Sequence, residues 1–462
     1  VRADGSAASR TTTSGTGLTV RNNAGSIMEQ NVFRSQLNRR SLFALGGAVA
    51  VTGALAACGG NTGRETATGG GTSGGGGGSK VTLNQWYHQY GETGTQQAVE
   101  RYAAAYPKAT VKVSWKPGDY DQSTAASLLT DAGPDVFEYG NGPTIDMIKG
   151  GQVLDLTDAF GDAKSDFNAS VLKRVTYQDK IWAIPQVIDM QLLVYRKSML
   201  EKAGVKPPET IDDLIAAAKK LTTSDVKGLF VGNDGGGGLL GGPMLWSAGL
   251  DYLTDDNQFG FDDPRAVTAL GKLRELWQSK SILLGAPKDW FDASALTSGL
   301  TAMQFTGLWT FPDIKKGLGD DFGVMAWPKL DADGKDSVPV GAYGACVSAK
   351  SQHVDEAKAF AKWLWVDQTA DQLDFATAYG FHIPSRTSLI PKAATLATGQ
   401  AADAAKLATD VGHAQSPLLW TPKCNTAFGD MMSRIVKDGA DPKAEIAKVK
   451  TVVDAELKRV LA

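Results

Sequence analysis

Apolar positions along the chain alternate between two periods. The short runs "VTLNQW" from Val81, "TVKVSW" from Thr110 and "DVFEY" from Asp135 have the length and the β-branched and aromatic content of strands. Between them, Val99, Tyr102, Ala103 and Tyr106 recur at helical spacing, and Pro107 closes that helix. The same signal returns in "PPETIDDLIAAAKKLT", where Thr210 and Asp213 are placed as a capping box and Ile211, Leu214, Ile215, Ala218 and Leu221 form one stripe. Asp263-Pro264 opens a further helix with Ala266, Leu270, Leu273 and Trp277 along one face. Ile446, Val449, Val453, Leu457 and Val460 mark a last one. Strands alternating with helices predict mostly parallel α/β sheets.

The first eighty residues follow neither period. Arg39 and Arg40 precede a stretch from Leu42 to Ala57 without a charge, a basic region and an apolar one in the order of an export signal. A membrane span needs roughly 20 apolar residues, and this run is shorter and rich in Gly and Ala. The paired arginines resemble a twin-arginine signal in part, since Leu42 rather than phenylalanine stands two positions after the pair. "LAAC" resembles the bacterial lipoprotein cleavage site, which makes Cys58 the lipid anchor and first mature residue. More than one acyl chain is needed for firm membrane attachment. The glycine-rich stretch to Lys80 reads as a flexible coil. Met28 is the expected translation start, because Val1 to Ser26 is polar and would otherwise place an extension before the signal. Residues 1–57 are thus read as extension and signal, and 58–80 as anchor and linker.

About 380 residues remain, more than one ordinary core holds, so two domains are expected. A net charge of −3 and 21% charged residues argue against a nucleic-acid partner. Besides Cys58 only Cys346 and Cys424 occur, too few for a disulfide scaffold. The four histidines, His88, His353, His382 and His413, lack metal-ligand spacing, so neither a metal nor another cofactor is expected. "GGGLLG" from Gly236 formally fits a dinucleotide fingerprint, yet inside a glycine-rich segment it reads as a loop.

Four segments in order, "DVFEYGNG", "IWAIPQVIDMQLLVYRKSMLEKAG", "TAMQFTGLWTFPDI" and "GAYGACVSAKS", followed by "YGFHIPSR", resemble the extracytoplasmic solute-binding proteins of sugar-type ABC importers, the maltose-binding-like group. The resemblance runs from Val81 to about Ala462. It implies an α/β fold of two lobes with hinge crossovers and a central ligand cleft. The lobes are expected as 81–187 with 326–366 and 188–325 with 367–462, and the crossings near Val187 to Ile188, Met325 to Trp327 and Trp365 to Thr369. It further implies a monomer, lipid-anchored on the extracytoplasmic face of a bacterial cell membrane, that carries a carbohydrate ligand to a transmembrane permease without changing it. In a bacterium without a periplasm, the signal, lipid anchor and linker are what such a protein needs.

Sugar rings offer an apolar face and a rim of hydroxyls, so their sites combine aromatic planes with converging polar groups. "NQWYHQYGE" provides both at a strand's C-terminal end; there His88 and Tyr90 are the candidates, with Trp86 assigned to packing. By the resemblance, Tyr139, Asn141, Asp189, Trp309 and Tyr343 join them, with Arg386 and Trp420 from the late segment; Trp309 is the expected stacking tryptophan. Core packing is the competing reading for Trp246 and Trp290. A non-sugar ligand such as a glycerophosphodiester or peptide is one alternative. A secreted glycoside hydrolase is the other, with Glu92, Glu138 and Asp189 as its carboxylates. Cys346 and Cys424 fall in different lobes, where a bridge would clamp the hinge, and are expected to be free.

Overall fold

The structure, a computed structural model, describes residues 80–462 with the exception of residue 342. The expected signal sequence, Cys58 and the linker lie outside the described residues. Among the described residues no helix is long and apolar enough to cross a membrane.

Two sheets dominate. The first runs Ala109–Lys116, Val81–His88, Val136–Gly140, Tyr343–Val347, Ile184–Pro185 in spatial order. The second runs Gly412–Ala414, Val338–Gly341, Val187–Tyr195, Thr301–Gly307, Lys227–Phe230, and Gly323–Met325 and Ile383–Pro384 also pair with the long strand Val187–Tyr195. Each sheet has its own hydrophobic core. Tyr87, Phe137, Ile184, Cys346 and Phe360 fill the first. The second sheet is covered on both sides, by Leu214, Leu270, Phe305 and Trp327 in one cluster and by Met190, Leu192, Val338 and Ala404 in the other.

The expected helices form where their stripes predict them. Thr95–Ala105 buries Val99, Tyr102 and Ala103. Ile211–Leu221 carries the Thr210–Asp213 capping box and buries its whole stripe. Asp263 caps Pro264–Gln278 by accepting from the Arg265 amide, and Pro442–Leu461 buries Ile446, Val449, Val453, Leu457 and Val460.

Mostly parallel sheets do not form. Val81–His88 is parallel to its two neighbours and Lys227–Phe230 to Thr301–Gly307, but Val187–Tyr195 runs antiparallel to Thr301–Gly307, Val338–Gly341, Gly323–Met325 and Ile383–Pro384. Tyr343–Val347 is likewise antiparallel to Val136–Gly140. The reason is the traffic between lobes. Ordinary strands end at the edge the lobes share, whereas a strand arriving from the other lobe begins there and must run the opposite way.

The first crossing separates Val187, in the first core, from Ile188, in the second lobe. The second lies at Gly341 to Tyr343, where one strand of each sheet abuts, rather than at Met325 to Trp327; Trp327 is fully buried against Phe305 in the second lobe. The third falls between Ala376 and Ile383 rather than at Trp365 to Thr369. The helix Thr369–Thr377 stays with the first lobe, because Asp374 binds Arg101 and the Tyr102 hydroxyl there. Cys346 and Cys424 are both buried and free, one in the first sheet and one in the helix Pro422–Val436 of the second lobe.

Candidate functional site

The shared edge is built from strand ends. His88 closes the first strand, Gly140 closes a strand parallel to it, and Tyr343 opens the strand paired with Gly140, so three chain segments converge on one margin of the first lobe. There the His88 ring is stacked on Tyr343 at 4.2 Å and 14° and meets Tyr90 at 3.8 Å and 40°, the two tyrosine rings being 6.1 Å apart. Beneath them sits Glu138, its side chain fully buried. Its Oε1 accepts from the His88 amide at 2.7 Å and His88 Nδ1 at 2.5 Å, and its Oε2 accepts from the Tyr90 hydroxyl at 2.8 Å. With its amide nitrogen turned toward Glu138, Gln186 adds a donor to Oε2 at 3.1 Å. Burial alone would push the His88 pKa down; the charge and hydrogen bond of Glu138, then Asp189 and Glu92, outweigh it and raise it above the ordinary value. Burial pushes the nearby Asp121 carboxyl up to about 6, against the hydrogen bond it accepts from the Gly140 amide.

Asp189 lies on the crossing strand, where Gly341 is its partner in the neighbouring strand. Its carboxylate accepts from His382 Nδ1, and the other nitrogen of that ring faces Glu92 Oε1 at 3.2 Å. Burial would lower the His382 pKa, but Asp189 and then Glu92 carry it to about 10. Two residues further along the strand, about 6.6 Å away on the same face, comes Gln191. Gln415 donates to the Gln191 side chain at 3.2 Å and accepts from Asn141 at 3.0 Å, an amide chain that joins the lobes at the seam. Asn141 adopts a left-handed φ of 59°, a conformation asparagine tolerates.

Gln191 pairs in register with Gly307, which leads to Trp309. A Cβ on Gly307 would meet the Trp309 ring at 1.9 Å, so the indole lies directly over glycine backbone. Trp309 Nε1 donates to the Phe291 carbonyl at 2.9 Å, and Trp290 stands edge-on to the indole at 5.8 Å. The loop bearing these aromatics is fixed: Gln304 donates to the carbonyls of Trp290 and Asp292, and Asp289 accepts from the amides of Trp290 and Asn233. Phe291 remains 55% exposed. An aromatic platform thus belongs to the second lobe and a polar, imidazole-centred patch to the first, with Asp189 and Gln191 on the strand between.

Of the nine residues expected in the cleft, His88, Tyr90, Tyr343 and Asp189 come together in one cluster, Asn141 stands at the seam and Trp309 on the platform. Tyr139 follows Glu138 with its ring packed into the first core. Two are placed elsewhere. Arg386 spends its guanidinium on Asp166 at 2.7 Å and the Val366 carbonyl at 2.7 Å, and Trp420 is packed among Tyr252, Phe261 and Phe428 in the second core. Trp86 is part-buried beneath Lys116 Nζ at 3.9 Å, consistent with packing, and Tyr87 is the core member of that run. Trp246 is buried against His413 and Tyr252, whereas Trp290 belongs to the platform. "GGGLLG" is a loop of the second lobe, tied to Asp234 through the amides of Gly236 and Gly238. Among the described residues no group of His, Cys, Asp and Glu could hold a metal ion. Asp121, Gln191, Phe291 and Gln415 were not foreseen; only the Phe291 pairing with Trp290 leaves an aromatic signal in the sequence.

Residues 85–368 match the family described as bacterial extracellular solute-binding protein. The chain belongs to that family, which places it outside the cytoplasm. It is similar to the diacetylchitobiose binding protein DasA of Streptomyces coelicolor, 28% identical over 410 residues that cover 82% of this chain and 89% of that one. To the lactose-binding protein of Rhizobium radiobacter it is 25% identical, over 64% of this chain and 72% of that one. The GacH receptor of Streptomyces glaucescens, solved unliganded and with acarbose, superposes with a TM-score of 0.70 at 24% identity, over 82% of this chain and 99% of that one. The two-lobed fold of that class is therefore the fold of this chain.

Proposed function

We propose that the protein binds a sugar or oligosaccharide between its lobes and delivers it, unreacted, to the permease of an ABC importer. The observation that carries this reading is the pairing of a rigid aromatic platform, Trp309 with Trp290 and Phe291, with a polar patch on the opposite lobe. That combination suits a ring with one apolar face and a hydroxyl rim. The names of the curated relatives support it. Ligand touching both lobes favours the closed arrangement, because only differential affinity shifts a population, and the permease reads the closed shape. Cys58 as lipid anchor and a monomeric state complete the proposal.

Carriage rather than hydrolysis is supported by the carboxylates. Glu138 has no exposed side-chain surface with which to reach a substrate, and Glu92 and Asp189 are both engaged with the same imidazole. A thermal-shift screen of mono- and oligosaccharides tests the reading, since a bound ligand stabilises by mass action. A stabilising glycan recovered intact after incubation is the expected result. Shortened product, or stabilisation by glycerophosphodiesters or peptides but by no glycan, would refute it.

A further inference from the structure

Glu138 is a buried carboxylate that no ligand can touch, yet three of its four hydrogen-bonded donors hold residues of the polar patch. We propose that Glu138 is a positioning residue: it holds the His88 ring through Nδ1–H and favours the imidazolium, whose Nε2–H then donates to an acceptor oxygen on a neutral glycan. The inference rests on the reading that this patch receives the ligand.

Three observations carry it. Nδ1 is committed to Glu138 Oε1 at 2.5 Å, which fixes both the ring's orientation and one of its protons. One face of the ring is stacked on Tyr343, whose π-system favours a cation, and Tyr90 meets it at a tilt. About a fifth of the side chain is exposed, and among the described residues Nε2 has no hydrogen-bond partner. An unpartnered nitrogen on so constrained a ring is a donor when the imidazole carries both protons. When it carries only the proton shared with Glu138, the same nitrogen presents a lone pair. An acceptor oxygen on the ligand is attracted in the first state and repelled in the second.

The groups facing His88 also select the ligand's charge. Glu138 lies beneath it, Tyr90 and Glu92 follow it in the chain, Tyr120 and Asp121 approach from the helix Tyr120–Ser127, Tyr343 stacks on it, and Asp189 faces it from the crossing strand with His382 behind. The carboxylates Glu92, Asp121, Glu138 and Asp189 outnumber the imidazoles His88 and His382, so the patch disfavours an anionic sugar while keeping a donor for a neutral carbonyl, ring or glycosidic oxygen, which unlike a hydroxyl cannot turn to donate. Asp121, pushed by burial to about 6, titrates nearby, so the His88 limb is read from its own nitrogen resonances.

The test begins without ligand. Nitrogen-detected NMR of the imidazoles, with His88→Gln assigning the resonance, should show His88 Nδ1 keeping its proton and Nε2 losing its own with a midpoint above 6.5. Glu138→Gln should lower that midpoint by about one pH unit or more. A wild-type midpoint at or below 6.5, or one unmoved in Glu138→Gln, overturns the proposal whether or not any glycan binds. For the glycan that gives the largest thermal shift, wild-type affinity should hold up to the His88 midpoint and fall about tenfold above it, and Glu138→Gln should move that fall to lower pH. A flat affinity profile, or equal affinity for a uronate-bearing glycan, counts against the donor role. Failure of every glycan to bind would refute the carriage reading, and the imidazole titration would still decide this one.

Discussion

At the residue scale, Trp309 concentrates the apolar part of the proposed site, since its indole is clamped over Gly307, by its bond to the Phe291 carbonyl and by the edge of Trp290. A clamped aromatic loses little entropy on binding, so truncation should remove mostly contact energy. Trp309→Ala is expected to weaken glycan binding by about 2 kcal/mol, roughly thirtyfold, with the unfolding temperature little changed. Calorimetric titration checks this, and undiminished affinity would move the site elsewhere. Gly307→Ala is the companion change: a methyl cannot share space with ring atoms 1.9 Å away, so the indole must leave its seat and affinity should fall although no contact residue is altered. Trp309 was a candidate through its resemblance to the family's tryptophan turn, and the structure sets it beside Trp290 and Phe291. Glu138 was a candidate only as a hydrolase carboxylate, and its place under the patch was not legible. A lone acid in an apolar strand has no partner in linear sequence, and the atoms that satisfy it belong to His88, Tyr90 and Gln186, brought near only by folding.

At the scale of elements, helices followed their stripes closely, because burial of one face decides a helix locally. The helix Ile211–Leu221 shows how much its ends add. Thr210 accepts from the Asp213 amide and Asp213 reaches back to the Thr210 amide, at a half-buried position whose backbone also bridges to Lys329. Thr210→Ala should cost about 1 kcal/mol in denaturant unfolding with binding unaffected, whereas Thr210→Ser should be close to neutral. Strand direction was the part that periodicity could not supply. A run such as "VIDMQLLVY" reads as a buried strand in either orientation, and only the fact that it departs from one lobe to enter the other makes it antiparallel to its neighbours. The later crossings were misplaced for a related reason: Trp327 and Trp365 look alike as buried tryptophans, and which core each joins is decided by distant partners, Phe305 for one and Phe375 for the other.

At the scale of the whole molecule, the question is what holds the lobes and what lets them move. His382, on the third connection, ties Asp189 of the crossing strand to Glu92 of the first lobe. Its folded pKa of about 10 lies above the ordinary 6.5, so the stabilisation is fully present below 6.5 and is lost as pH rises toward 10. The difference in unfolding temperature between wild type and His382→Gln should therefore shrink across that window, and a constant difference would show that the strap does not titrate there. Elsewhere along the seam the contacts are of two kinds: Asp166 of the first lobe is held by Arg386, Thr387 and Ser388 just past the third connection, and the others are light. Arg459 and Asp146 pair at 2.7 Å but are each half exposed, and Asn141 meets Gln415 through neutral amides. The last two contacts are worth little and re-form easily, so they offer slight resistance to a ligand that grips both lobes. Solution scattering with a saturating stabilising glycan should accordingly report a smaller radius of gyration than the empty protein. Because Trp309→Ala removes the grip of one lobe only, that variant at saturation should close less completely than the wild type. Full closure in the variant would mean that the first lobe's polar patch and the crossing strand suffice to shift the population by themselves.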